Sequence, residues 1–228
     1  MLENIEGLEN IDPGSIIDLH IYNNPVLSEC DIDNICEYLA DPGGTVEIYN
    51  NATGCNSQGE IEDACESSCL PDGITFNTQE QIDSFQANYP GCKEIEGDVT
   101  VSGEDINNLQ GLDILTSIGG SLEIIINDAL TSLAGLDAVS FIGGNLEILG
   151  TTSLTSLVGL EGLTTIEGNF EILGTTSLTS LSGLEGLTII GGDLWISENE
   201  SLVYLAGLEG LTNIGGNLMI SVNESLVN

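Results

Sequence analysis

The chain has 228 residues, with 37 Asp and Glu against a single basic residue, Lys93, and a formal net charge of −36. That balance excludes nucleic-acid binding and docking on anionic membranes, both of which need cations to neutralise phosphate. With 41% apolar residues and a mean hydropathy of +0.19 the chain is too apolar for an acidic disordered segment, and its 29 scattered glycines, each costing about 1 kcal/mol in a helix interior, argue against an all-helical fold.

Residues 1–66 carry an irregular version of a pattern that becomes strict further on. Leu8, Ile11, Leu19 and Ile21, then Val46 and Ile48, match its apolar columns. Two amphipathic stretches interrupt them: Asp31–Leu39, with Ile32, Ile35, Cys36 and Leu39 on one face, and Ser57–Cys65, opened by a Ser57-x-x-Glu60 capping box. This segment reads as the closing coils and cap of an upstream array. Residues 67–94 read as the opening cap of a second array. There, Asn77-Thr-Gln-Glu80 signals a helix start, Ile82, Phe85 and Tyr89 follow at helical spacing, and Pro90-Gly91 stops the helix.

From residue 95 to 228 the repeat is strict. Gly119-Gly120, Gly143-Gly144, Gly191-Gly192 and Gly215-Gly216 fall on a 24-residue period, with Glu167-Gly168 filling the gap. Ile118, Ile142, Ile166, Ile190 and Ile214 form one apolar column, and Ile124, Ile148, Ile172, Ile196 and Ile220 another. Within one unit, Leu154, Leu157, Leu160, Leu163 and Ile166 advance by threes. On a helix that step drifts by about 60° each time, so short extended segments turning corners are expected instead. Leu146-Glu147-Ile148-Leu149 alternates as a strand does, with Leu146 and Ile148 inward and Glu147 and Leu149 outward. The second array stops at Asn228 without a cap, so the chain reads as a fragment of a longer protein; a structural spacer or a stalk that self-associates through the last coil is the alternative expectation to an extracellular binding or adhesion module.

Three residues after each strand Ile come Asn24, Asn51, Asn127, Thr151, Thr175, Asn199 and Asn223. The resulting Leu-x-Ile-x-x-Asn resembles the leucine-rich repeat, and the whole unit, as in Gly207 to Ile220, is similar to bacterial receptor-L-domain-type repeats. The resemblance implies a mainly β fold, a right-handed β-solenoid of 24-residue coils with short helical, disulfide-bearing caps, in a secreted or bacterial cell-surface protein. It also implies a ligand face on the outward positions of the strand. These are Glu123, Glu147, Glu171, Trp195 and Met219, beside Ile125, Leu149 and Leu173. A protein or glycan partner is expected there.

Six cysteines, Cys30, Cys36, Cys55, Cys65, Cys69 and Cys92, lie outside the strict repeat. No Cys-x-x-Cys occurs and the one histidine is His20, so disulfides are expected rather than metal binding. Cys69 and Cys92 flank one cap and are expected to pair; the other four pair among themselves, in an order the sequence leaves open. No apolar run reaches the roughly 18 residues of a membrane span, and the N-terminus lacks the regions of a signal peptide.

No catalytic constellation is legible, and an enzyme is not expected. His20 sits at an outward strand position with no nucleophile implied near it. The sequons at Asn51, Asn199 and Asn223 coincide with the Asn column, whose amides are expected to serve the backbone. Asp113, Asp137, Glu161, Glu185 and Glu209 stack in one column. That ladder is read as a solvated acidic face, with Ca²⁺ bridging as the competing reading and no cofactor otherwise.

Overall fold

A computed structural model describes residues 2–8 and 10–227. The chain divides into two compact units, Met1–Ser68 and Cys69–Asn228.

In the first unit, strands β1 (Leu19–Tyr22) and β2 (Val46–Tyr49) pair in parallel, Leu19 beside Val46 and Tyr22 beside Tyr49. Between and after them run helices α1 (Asp33–Ala40) and α2 (Gln58–Ser67). Ser57 Oγ accepts the Glu60 N–H at 3.2 Å, while the Glu60 carboxylate reaches back to the N–H groups of Gly54 and Asn56, both at 2.9 Å. One of the first amides of α2 is thereby satisfied, and the Glu60 side chain ties the preceding loop to the helix start. Leu27, Ile35, Leu39 and Ile61 form the core, and Cys30–Cys55 and Cys36–Cys65 are disulfides, the latter tying α1 to α2.

The second unit opens with α3 (Gln79–Asp83) and α4 (Phe85–Asn88). The sequence signal for one helix is met by two, broken at Ser84, and the capping box is Thr78 with Gln81, one residue beyond the Asn77–Glu80 signal. Ile82 and Phe85 are buried, and Cys69 is bonded to Cys92. Two parallel sheets of seven strands follow. One is built from strands of two residues: β3 (Ser68–Cys69), β5 (Glu94–Ile95), β7 (Ser117–Ile118), β9 (Phe141–Ile142), β11 (Thr165–Ile166), β13 (Ile189–Ile190) and β15 (Asn213–Ile214). The other holds β4 (Ile74–Phe76), β6 (Val99–Val101), β8 (Leu122–Ile125), β10 (Leu146–Leu149), β12 (Phe170–Leu173), β14 (Leu194–Ser197) and β16 (Leu218–Ser221). Residues 24 apart stand in register, Ile148 beside Ile124 and Ile172. Ile118, Ile142, Ile166 and Ile190 of one sheet and Ile124, Ile148, Ile172 and Ile196 of the other join a single core with the leucines between them.

The expected mainly β, right-handed β-solenoid is corrected by this structure. The fold is mixed, with 15% helix and 22% strand, and the strands do not close into a solenoid. The reason lies in the three-residue step. Leu154, Leu157, Leu160 and Leu163 are fully buried but flank tight turns at 152–153, 158–159 and 161–162 and belong to no strand. The Leu154 N–H donates to Thr151 O, that of Leu160 to Leu157 O and that of Leu163 to Leu160 O, at 3.0–3.2 Å. Each such bond closes a turn over three residues and brings the next leucine back to the same side. A period of three is thus satisfied by successive turns, which leaves each unit only two short strands.

Candidate functional site

The longer-stranded sheet shows the expected alternation. Leu122, Leu146, Phe170 and Leu194 are buried to 2% exposure or less, as are Ile124, Ile148, Ile172 and Ile196. The residues between them point the other way. Glu123, Glu147, Glu171, Trp195 and Met219 stand side by side on consecutive strands, β8 to β16. The parallel row is Ile125, Leu149, Leu173, Ser197 and Ser221. Glu123, Glu147 and Glu171 are half-buried, Trp195 is 39% exposed and Met219 42%. None of the three aliphatics turns into the core: Ile125 and Leu149 are half-buried and Leu173 is exposed. All eight sequence-predicted face residues therefore share one surface.

This surface has its own electrostatics. Glu123 accepts a hydrogen bond from Thr100 Oγ1 at 3.2 Å, and Glu147 accepts one from Asn145 Nδ2 at 3.1 Å. Glu171 titrates above the usual carboxylate range, because burial disfavours its charge and Glu147 and Asp193 repel it. No Lys, Arg or His occupies either outward row.

The acidic column Asp137, Glu161, Glu185 and Glu209 is exposed, and its carboxylates also serve the backbone. Asp137, Glu161, Glu185 and Glu209 each accept the N–H of the glycine two residues earlier, Gly135, Gly159, Gly183 and Gly207, at 2.8–2.9 Å. Those glycines have φ of 111–115°, and a Cβ on Gly159 would lie 2.0 Å from Leu133 O in the preceding unit. Only glycine fits such a turn. Asp113 instead accepts from Gln86 Nε2 at 2.6 Å. Among the described residues no group of three or more His, Cys, Asp or Glu is arranged to hold a metal ion. The fourfold Gly-x-acid spacing was the signal for this role.

The Asn column is internal. Asn127 and Asn199 are fully buried, the Asn199 amide donating to Ile172 O at 3.1 Å and its Oδ1 accepting the Thr175 N–H at 2.9 Å. Asn51 donates to Ile21 O and Cys55 O, and Asn223 to Ile196 O, so the three sequon amides all serve the backbone. Thr151 and Thr175 fill the same buried column, and Thr175 Oγ1 has no hydrogen-bond partner. A second ladder was not foreseen. In register down one side, the hydroxyls of Ser140, Thr164, Thr188 and Thr212 donate to the carbonyls of Thr116, Ser140, Thr164 and Thr188 at 3.0–3.3 Å. His20 is exposed and its Nδ1 lies 3.1 Å from Glu47 Oε2 on the neighbouring strand.

No family profile, no curated protein and no solved structure matches the chain significantly. The three disulfides point to an extracellular or otherwise oxidising environment. No described helix is long and apolar enough to cross a membrane.

Proposed function

We propose that the protein is a non-enzymatic binding module of the cell exterior, secreted or displayed on a bacterial surface, that engages a protein or glycan partner. One observation carries the reading: Leu173, Trp195 and Met219 are exposed on three adjacent strands of the outward sheet face, continuous with half-buried Ile125 and Leu149. Single exposed apolar residues are ordinary on protein surfaces, whereas a contiguous stripe marks an interaction site. The resemblance to leucine-rich repeats directs attention to the same face. The non-enzymatic part is supported by the column carboxylates, which are tied to backbone amides, and by His20, which is held by Glu47. The test is capture of surface partners by the native protein and by a Trp195→Ala, Leu149→Ser variant of equal melting temperature. The reading expects the variant to lose the captured partner; equal capture by both overturns it.

A further inference from the structure

We propose that the partner of the outward sheet face is a cationic amphipathic protein segment, whose Lys or Arg row pairs with Glu123, Glu147 and Glu171 while its apolar row covers Leu149, Leu173 and Trp195. The inference rests on the binding-module reading and adds the chemistry of the partner. Its basis is charge complementarity across two parallel rows. The three glutamates lie on adjacent, in-register strands, which places them about 4.8 Å apart. Successive same-face residues of a helix, three or four apart, are spaced at about 5–6 Å, close enough for flexible Lys and Arg side chains to follow the glutamates rung by rung. The apolar row runs beside the acidic one over the same strands, Leu149 next to Leu173, and Trp195 follows Glu171 in its own row. An anionic partner would meet three half-buried carboxylates with no cation to receive it, and a neutral one would leave them desolvated without compensation. A basic partner answers both rows at once. Trp195, beside Glu171, also offers a ring face to a guanidinium or ammonium group. Burial is the larger cause of the raised Glu171 pKa; the lesser one, repulsion from Glu147 and Asp193, would be relieved by the same contact.

The experiment must separate this face from the net charge of −36, which attracts any polycation. The probe is a synthetic helical peptide of Leu and Lys, titrated by calorimetry at physiological salt. Four proteins are compared: wild type, E123Q/E147Q/E171Q, the charge-matched control E29Q/E37Q/D41N in the first unit, and W195A/L149S, all matched by circular dichroism. The proposal expects wild type and control to bind within twofold of each other, and the face triple variant at least tenfold more weakly. Equal weakening by the two triple variants assigns the binding to bulk charge and overturns it, as does the absence of binding to wild type. Loss in W195A/L149S with none in the face triple variant overturns the cationic partner but retains the face. Loss in neither overturns both.

Discussion

Gly159 donates its backbone N–H to the carboxylate of Glu161, two residues on, at 2.8 Å. The turn that makes this possible has φ of 112° at Gly159, and the same pair recurs at 135/137, 183/185 and 207/209. A carboxylate column that looks like a charge problem is thus part of the backbone's hydrogen bonding.

Two glycines with positive φ should respond very differently to alanine. At Gly150, with φ of 61°, the nearest atom to an added Cβ is 3.5 Å away, so the cost is that of the left-handed backbone alone, about 1 kcal/mol. At Gly159 the same Cβ meets a backbone carbonyl at 2.0 Å, and strain plus overpacking should cost at least about 3 kcal/mol. Urea unfolding of the two variants measures the difference; equal costs would mean that the close approach of the units is not as described.

Replacing Glu161 by Ala should cost about 1 kcal/mol, and by Gln much less, because the amide oxygen still accepts the Gly159 N–H. If the column instead bound calcium, millimolar Ca²⁺ would raise the melting temperature beyond NaCl of equal ionic strength. The account expects the two salts to match.

How much of this was legible depended on whether a residue's role is set by its own side-chain pattern. The alternation Leu146-Glu147-Ile148 and the columns of Ile read directly as strand faces and register, because inward positions accept only apolar groups. Leu154, Leu157 and Leu160 did not, since apolar steps of three are met equally by extended corners and by successive turns. Glu161 is exposed, as a solvated acidic column implies, but its hydrogen bond to a backbone amide is not legible from side chains, because the direction of that amide depends on the φ of Gly159.

Thr175→Val should stabilise the second unit. The buried hydroxyl has no partner and the isosteric methyl removes its desolvation penalty, a gain of about 1 kcal/mol. Thr164→Val is the contrasting case, since that hydroxyl donates to Ser140 O at 3.0 Å. A denaturation midpoint that falls in both variants would show that Thr175 does find a partner.

Glu171 should make stability depend on pH in an unusual sense for a carboxylate. Its folded-state pKa is raised by burial and by Glu147 and Asp193, so between the ordinary value of 4.5 and the raised one the folded chain binds more protons than the unfolded chain. Its contribution therefore improves as pH falls through the raised value and is unfavourable above it. Glu171→Gln should raise the melting temperature at neutral pH, by an increment that shrinks as the pH approaches 4.5. A variant less stable at neutral pH would contradict this.

The central claim, that the outward sheet face receives a basic amphipathic partner, has a built-in reporter, because Trp195 is the chain's one tryptophan and is 39% exposed there. Its fluorescence should be followed as the Leu/Lys peptide is titrated in. The account predicts a blue-shifted emission and loss of iodide quenching, both saturating with the binding isotherm. Saturable binding that leaves Trp195 emission and quenching unchanged would place the partner elsewhere and contradict the account.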